Sequence, residues 1–210
     1  MSDLTAGRLS VYLRCLNALE TEGIKTVSSG SLAEQFHLNA PQIRKDLATF
    51  GEFGVRGVGY YVVDLKRHLR HILGLDRMVR VAIFGAGNLG MALADYPGFR
   101  RQGQEIIGLF DVAKAKVGQQ SRGGVRIFHL RDFKKMARKS PADIAVIAVP
   151  ADAAQLVVNE AIESGVRAVL NFSPRALKVP PAVKLKTMDL TVSMESLSFF
   201  LAREDGDGRA

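Results

Sequence analysis

The sequence has little cysteine and no long apolar run. Cys15 is the only cysteine among 210 residues, so no disulfide can form within the chain. No stretch of about 18 apolar residues, the length that spans a bilayer, occurs anywhere, and residues 1–10 lack the apolar segment of a secretory signal peptide. We therefore expect a cytoplasmic protein that does not span a membrane.

The charge of the chain is unbalanced, with a net charge of +8 and a pI of about 9.8, which indicates a polyanionic partner without locating it. Residues 1–78 hold ten Lys/Arg and eight Asp/Glu, whereas residues 79–186 hold seventeen and eight. Much of the excess is a basic run spaced like the outer face of a helix, which we interpret as a solvated surface: Arg131, Lys134, Lys135, Arg138 and Lys139.

Three apolar patterns with helical spacing occupy the first fifty residues. The first predicts a helix over residues 5–22, the second a short helix, and the third a helix over residues 40–50 that follows the cap Asn39. In the third helix Ile43 and Leu47 lie in the inward stripe, which is typical of a helix-turn-helix motif. Its other faces carry the residues that we expect to contact DNA: Gln42, Arg44, Lys45 and Thr49.

A glycine-rich segment over residues 50–63 ends in an apolar strand and predicts a hairpin of the kind called a wing. Arg56 falls at its tip, from which it would reach the minor groove of DNA. A further helix over residues 64–73, capped by Asp64, closes this part of the chain. We place a domain boundary after residue 76.

Beyond the boundary the pattern changes to strands and helices in alternation. Apolar strands at 79–84, 106–110, 145–149 and 168–170 alternate with helical patterns, which indicates a parallel sheet covered on both faces. The predicted fold is therefore α/β, an N-terminal winged helix-turn-helix domain joined to a Rossmann-like parallel-sheet domain. The predicted bounds are residues 1–76 for the first domain, 77–188 for the second, and 189–210 for a C-terminal helix and tail.

A phosphate-binding loop follows the first of these strands. Its residues are Gly85, Ala86, Gly87, Asn88, Leu89 and Gly90. Because this GxGxxG motif lies between a strand and a helix, it is strong evidence for a dinucleotide site, with backbone N–H groups facing the pyrophosphate. Asp111 ends the next strand, where a carboxylate accepts hydrogen bonds from the adenosine ribose hydroxyls. That carboxylate would repel a 2′-phosphate, which favours NAD(H) over NADP(H), although Lys114 and Lys116 lie nearby.

A dehydrogenase would also need a proton carrier beside the nicotinamide and a wall of protein that binds substrate. Three of the four histidines precede the dinucleotide domain and the fourth follows a mid-domain strand: His37, His68, His71 and His129. Only 61 residues follow Val149, too few for a substrate domain. We therefore predict a cofactor sensor without catalytic residues, substrate or metal. The alternatives are a small NAD-dependent oxidoreductase using a lysine or a tyrosine such as Tyr96, and a CoA-binding or other nucleotide-binding module.

The last predicted helix, over residues 190–202, is apolar around most of its circumference. No single face on one domain can bury all of its apolar residues, so the helix needs a second surface. That surface is either the cleft between the chain's own domains or, as we favour, a partner subunit. The apolar residues are Leu190, Val192, Met194, Leu197, Phe199, Phe200 and Leu201.

These features together resemble one family, the redox-sensing transcriptional repressor Rex, over nearly the whole chain. The motifs that carry the resemblance are Arg44-Lys45-Asp46-Leu47, Phe50-Gly51, Arg56-Gly57-Val58-Gly59-Tyr60, residues 85–90, Ala94-Asp95-Tyr96-Pro97-Gly98-Phe99, Asn171-Phe172-Ser173-Pro174 and Met188-Asp189-Leu190. The resemblance implies a homodimer with a swapped C-terminal helix. It also implies binding to palindromic operator DNA when NADH is low, and release when NADH binds.

The resemblance assigns roles to individual residues. It implies NADH and NAD⁺ as effector ligands, and it implies a switching network of Arg14, Tyr96 and Asp189. In the wing it adds Gly57 and Tyr60 to Arg56 as DNA contacts. Beyond the glycine loop and Asp111, the expected cofactor contacts are Lys116, Val149, Pro150, Asn171 and Phe172. Discrimination between reduced and oxidised cofactor must come from its nicotinamide end, where the candidates are Tyr96, Phe172 and Asp189.

Overall fold

The computed structural model describes the backbone of residues 3–207 and the side chains of residues 4–202. The chain divides into two units, Met1–Arg77 and Met78–Ala210. Residues 208–210, the end of the predicted tail, lie outside the described residues. Within residues 3–207, no helix is both long enough and apolar enough to cross a bilayer.

The N-terminal unit is a helical bundle with a small antiparallel sheet. Residues 3–77 form α1 (Asp3–Thr21), β1 (Thr26–Val27), α2 (Ser29–Phe36), α3 (Ala40–Ala48), β2 (Tyr60–Tyr61) and α4 (Val62–Ile72). Strand β1 pairs with β2 antiparallel. The buried core joins one face of each helix, as the helical spacing predicts. Its fully buried residues include Leu9, Leu16, Leu32, Ile43, Leu65 and Leu69.

Local capping fixes where the two helices of the helix-turn-helix begin. The side chain of Ser28 accepts a hydrogen bond from the N–H of Ser31 at 2.9 Å, which starts α2. Asn39 accepts one from the N–H of Gln42 at 2.8 Å, and Pro41 lies in the first turn of α3, where its missing N–H costs nothing. Asn39 is therefore the cap that the sequence predicts.

Three predicted bounds in this unit are wrong by two residues. The helix α3 ends at Ala48 and not at residue 50, and α1 begins at Asp3 and not at residue 5. The helix α4 begins at Val62 without a side-chain cap, so Asp64 lies inside its first turn. The reason is tertiary packing: Val62 is fully buried in the core, and its burial outweighs the weaker capping preference of Asp64.

The C-terminal unit is a three-layer α/β fold. Residues 78–207 form β3 (Val79–Phe84), α5 (Asn88–Ala94), α6 (Pro97–Arg101), β4 (Gln104–Asp111), β5 (Ile127–His129), a 3₁₀ turn (Leu130–Asp132), α7 (Phe133–Lys139), β6 (Ile144–Ile147), α8 (Ala151–Glu163), β7 (Ala168–Asn171), β8 (Lys184–Thr187) and α9 (Leu190–Asp207). The predicted α/β class is confirmed. The apolar pattern of the sequence does not predict the short edge strands β5 and β8.

All six strands of the sheet are parallel, in the order β5-β4-β3-β6-β7-β8. This is the order of a dinucleotide-binding fold. Both faces are buried: Ala82 and Phe84 belong to one core, and Val81 and Ile83 to the other. Because successive side chains point to opposite faces, a strand buried on both faces is apolar throughout, and this explains the continuous apolar run of β3.

The C-terminal helix α9 is longer than predicted. It continues to Asp207, five residues beyond the predicted end at Ala202. The apolar pattern ends at Ala202, but Arg203 and Glu204 are good helix formers, so polarity alone does not end the helix. Seven apolar side chains on α9 are between 56% and 63% exposed, and none belongs to the cores of the described residues.

Candidate functional site

One cavity of the C-terminal unit lies at the carboxyl ends of β3 and β6, where the strand order reverses. From β3 the chain continues to β4 and β5 on one side of the sheet, and it then returns to β6 on the other side of β3. Such a reversal leaves a crevice in open parallel sheets. The cavity has a volume of about 640 Å³ and is lined from the glycine loop, the end of β4, the 3₁₀ turn, the segment after β6, α8 and the segment after β7.

The glycine loop makes two close backbone approaches. Gly85 has φ +102°, and a Cβ there would lie 2.4 Å from the carbonyl oxygen of Ala148. A Cβ on Gly90 would lie 1.8 Å from the carbonyl oxygen of Gly85. A Cβ on Gly87 would instead meet nothing within 4 Å, although Gly87 lines the cavity. The first two glycines therefore hold the loop against the sheet, and Gly87 leaves open space where a ligand's pyrophosphate would lie.

Asp111 connects the end of β4 to the glycine loop. Its Oδ2 accepts the N–H of Ala86 at 2.8 Å, and its Oδ1 accepts the N–H of Ala113 at 2.9 Å. Burial raises the pKa of this carboxyl, but the two N–H donors and Lys116, with Nζ 3.6 Å from Oδ2, together keep the pKa below its usual value. Each carboxylate oxygen keeps a second lone-pair site, so the ionised group can also accept from ribose hydroxyls.

The cavity brings together most, but not all, of the predicted cofactor contacts. Those that line it are Gly85, Gly87, Asn88, Leu89, Asp111, Lys116, Val149, Pro150 and Phe172. Ala86 does not line it but donates to Asp111, and Gly90 packs on Gly85. Asn171 is fully buried beside it: Nδ2 donates to the carbonyl oxygens of Ser173 and Arg175, and Oδ1 accepts the N–H of Ser173. Asn171 therefore shapes the turn that presents Phe172.

Titratable side chains are scarce in this cavity. Asp111 and Lys116 are the titratable groups among its described lining residues, and the remaining lining is apolar or carries Asn88 and Ser173. Within residues 3–207, no cluster of His, Cys, Asp or Glu could hold a metal ion. Among its described lining residues the cavity therefore offers no histidine or tyrosine as a proton carrier.

Tyr96 lies in a second cavity of the same unit, with a volume of about 620 Å³. This cavity is lined from β4, α6 and the end of α5, and it shares no lining residue with the glycine-loop cavity. The Tyr96 ring is 57% exposed and packs edge-on against Phe99 with centroids 5.2 Å apart. Asp189 accepts the N–H of Thr191 at 2.9 Å and caps α9. No hydrogen bond joins Tyr96 to Asp189 within the described part of this unit.

The N-terminal unit presents the predicted DNA-binding residues on α3 and on the wing. Arg44 and Lys45 are exposed on α3, and Thr49 is exposed at its C-cap. Nη1 of Arg44 donates to Oγ of Ser29 at 2.9 Å. Arg14 on α1 is exposed as well. The helix therefore offers the positive charge of Arg44 and Lys45 to solvent, and neither forms an ion pair with the side chains of residues 4–202.

The wing is a tight hairpin whose tip is Arg56. Val55 and Gly59 form an antiparallel bridge, with the N–H of Gly59 donating to the carbonyl oxygen of Val55 at 2.9 Å. Gly57, at the tip, has φ +80°. Tyr60 is half-buried, and burial raises the pKa of its hydroxyl against the opposing charge of Arg44. The half-buried Tyr60 therefore anchors the hairpin to the unit, whereas the side chain of Arg56 is exposed and can reach a polyanion.

A buried carboxylate ties α3 to α1. Asp46 is only 4% exposed, and it accepts hydrogen bonds from Arg8, Tyr12 and Gln42. The apolar spacing of α3 does not by itself assign Asp46 a role. The signal was available, because Asp46 lies three residues after the inward Ile43, and a charged residue on an inward stripe needs buried partners.

Comparison with known proteins places this chain in a family. A family model described as "CoA binding domain" matches residues 76–175, and one described as "Putative DNA-binding protein N-terminus" matches residues 1–48. A protein of Syntrophomonas wolfei named "Redox-sensing transcriptional repressor Rex" is 48% identical over 200 residues, which is 95% of each chain. A protein of the same name from Desulfitobacterium hafniense is 45% identical and covers 94% of this chain and 93% of its own. The chain belongs to the Rex family.

Solved structures of the Rex family have the same fold. One, described as RSP in complex with beta-NAD+ and operator DNA, is 35% identical with a TM-score of 0.93, over 100% of this chain and 96% of that one. Another, RSP in complex with beta-NADH, is 33% identical with a TM-score of 0.87, over 100% and 98%. The Rex relatives are named as transcriptional repressors, so the oxidoreductase alternative fails.

Proposed function

We propose that this Rex-family chain is a redox-sensing repressor, which binds operator DNA through α3 and the wing when NADH is low and releases it when NADH binds the glycine-loop cavity. One observation carries the proposal: a dinucleotide cavity without a histidine or tyrosine in its lining lies in the same chain as a winged helix with exposed arginines. A repressor acts where the chromosome is, and we therefore also propose a cytoplasmic location.

The cavity suits NAD(H) for two reasons. The open space at Gly87 admits a pyrophosphate, and the loop N–H groups at the start of α5 have no partners within the helix. The ionised Asp111 accepts from ribose hydroxyls and repels a 2′-phosphate. The same repulsion disfavours the 3′-phosphate of CoA, even though the matched family model carries that ligand's name.

We propose that the protein is a homodimer in which α9 packs against the partner subunit. The support is the exposure of its apolar side chains, which a soluble chain does not leave in water over so large an area. A swapped α9 would also carry Asp189 towards the partner. The switching network of Arg14, Tyr96 and Asp189 stays a proposal, as does discrimination of the nicotinamide by Tyr96, Phe172 and Asp189.

The proposed division into residues 1–76, 77–188 and 189–210 gives each step its own segment. Operator binding belongs to the first, cofactor binding to the second, and dimerisation to the third. Because both ligands bind one molecule, linkage makes their effects reciprocal: NADH weakens DNA binding by the factor by which DNA weakens NADH binding. A coupling of about 1 to 3 kcal/mol gives a roughly 5- to 150-fold change in affinity.

The deciding experiment is a mobility shift on a palindromic duplex that the protein itself selects from a randomised DNA library. NADH, NAD⁺ and CoA are titrated separately into the complex at fixed salt, because DNA affinity depends on ionic strength. We expect NADH to release the duplex at concentrations where NAD⁺ does not. Equal effects of NADH and NAD⁺ would contradict a redox sensor, and release by CoA alone would favour the CoA-binding alternative.

Replacing Gly87 with alanine should weaken the response to NADH without harming the fold. The added methyl meets no atom of the protein, but it occupies the space that the pyrophosphate needs. We expect NADH affinity to fall by roughly tenfold or more, while DNA binding without cofactor stays unchanged. Calorimetric titration with NADH and the mobility shift measure the two effects.

The matched control for that variant is Gly7→Ala. Its methyl also meets nothing within 4 Å, but Gly7 lies on α1, outside the dinucleotide unit. We expect Gly7→Ala to bind NADH like the wild type. Unchanged NADH affinity in Gly87→Ala would place the pyrophosphate elsewhere.

A further inference from the structure

The buried carboxylate of Asp46 on α3 is held by a bidentate ion pair with Arg8 on α1.

 Nε and Nη2 of Arg8 donate to Oδ2 and Oδ1 at 2.5 and 2.7 Å. The hydroxyl of Tyr12 donates to Oδ2 at 2.9 Å. Both donors lie on α1, so Asp46 fixes the rotation of α3 relative to α1 within this unit. Paired charges with two parallel hydrogen bonds are among the strongest and most directional contacts in proteins.

Asp46 is ionised under all physiological conditions. The hydrogen bonds from Arg8, and less strongly from Gln42 and Tyr12, together lower the pKa of its carboxyl to about 2, against the opposing effect of burial. An ionised carboxylate only accepts hydrogen bonds. Every group that contacts Asp46 must therefore turn a donor towards it.

This requirement fixes the side-chain amide of Gln42. Its Nε2 donates to Oδ1 of Asp46 at 2.8 Å, so the amide cannot flip without placing Oε1 against a carboxylate oxygen. Oε1 of Gln42 has no hydrogen-bond partner among the described residues. Every buried polar side-chain atom of these residues does have a partner, so Oε1 is not buried. Oε1 therefore reaches solvent. Gln42 lies in the first turn of α3, and the first turn of a recognition helix is the part that contacts base edges.

We propose that Asp46 is a positioning residue for operator recognition: clamped by Arg8 and Tyr12, it presents Oε1 of Gln42 as a fixed acceptor for a donor on a base edge. The donors available in the major groove are N6 of adenine and N4 of cytosine. The inference rests on the proposed function, because it needs α3 to enter an operator. It gives Asp46 a part in sequence preference in addition to its part in stability.

The test is selection from a randomised DNA duplex library without NADH, followed by sequencing. The wild type should select adenine or cytosine at one position in each half-site. Gln42→Met should lose that preference, because methionine has no acceptor oxygen at this point. In Asp46→Asn the ratio of preferred to other bases at the same position should fall by roughly tenfold, because an asparagine amide allows the Gln42 amide to flip. The double variant should lose no more than either single variant, which marks two residues acting as one unit.

The matched control is Asp64→Asn, the same carboxylate-to-amide change at an exposed site on α4. It should select the wild-type sequence. If Asp46→Asn binds all sequences more weakly but keeps the wild-type base preference at every position, Asp46 has only a structural role and the proposal is overturned. If Asp46→Asn does not fold, Gln42→Met still decides, since an unchanged base preference there overturns the proposal by itself.

The failure of this inference is distinguishable from failure of the proposed function. A wild-type protein that selects no palindrome, or that NADH does not release, contradicts the repressor function. A wild type that selects and releases normally, while Asp46→Asn keeps every base preference, contradicts only the role of Asp46.

Discussion

Removing residues 190–210 should convert the protein to a monomer and lower its operator affinity by roughly 10²- to 10⁴-fold. The physical reason is that α9 carries seven exposed apolar side chains that the cores of neither unit contain. Burying them in a partner subunit would supply the association energy of a dimer. A dimer binds two half-sites at once, and the loss of the second contact removes the gain from effective concentration.

The shortened chain should keep its fold, because β8 ends at Thr187 and the buried cores are complete without α9. Light scattering measures the oligomeric state, and a mobility shift measures affinity for the selected duplex. A second truncation that removes only residues 203–210 is the control, since it spares all seven apolar side chains; it should remain a dimer. A dimer that survives the longer truncation would require a different interface.

The glycine loop and Asp111 can be predicted from sequence because their structure is local. The loop's conformation depends on Gly85 and Gly90, which can be identified directly from the sequence. The strand before the loop is also recognisable, because its last residues form an apolar run. Asp111 follows at the end of the next strand. A carboxylate at that point of this fold accepts ribose hydroxyls whatever the rest of the chain does.

Two of the three partners of Asp46, Tyr12 and Arg8, could not be predicted in the same way, because they lie 34 and 38 residues away in sequence. Helical spacing places Asp46 towards the core, but spacing cannot tell which residue of α1 faces it. The cavity in which Tyr96 lies could not be predicted from the sequence for a similar reason. Tyr96 lies six residues after Gly90 in sequence, and only the fold shows that its cavity shares no lining residue with the glycine-loop cavity.

The short strands β5 and β8 illustrate a further limit. Strand β8 lies at the edge of the sheet, and its Lys184 and Lys186 are exposed. Exposed lysines on an edge strand protect it against pairing with another chain, but they also erase the apolar pattern that identifies a buried strand. The pattern therefore detects the central strands of the sheet and misses its edges.

Acid should destabilise the N-terminal unit through Asp46, by about 2 kcal/mol between about pH 4 and pH 2. The pKa of Asp46 is lowered from 3.8 to about 2 in the folded protein, first because of the Arg8 hydrogen bond. Above pH 4 both the folded and the unfolded chain carry the ionised carboxylate, so the full stabilisation is present. As the pH falls towards 2, the unfolded state takes up the proton first, and the stabilisation is lost.

Asp46→Asn should remove this pH dependence and lower stability at neutral pH by about 2 kcal/mol, the stabilisation that the ionised carboxylate supplies. The neutral amide keeps one acceptor oxygen but turns an N–H towards groups that are themselves donors, Arg8, Tyr12 and Gln42. Urea unfolding followed by tyrosine fluorescence measures both effects: the chain has no tryptophan, and three of its four tyrosines, Tyr12, Tyr60 and Tyr61, lie in this unit. The exposed Asp64→Asn is again the control and should keep the wild-type slope. Equal acid sensitivity in wild type and Asp46→Asn would mean that other carboxylates govern the acid response, whereas acid sensitivity that disappears only in Asp46→Asn would assign this part of the stability to Asp46.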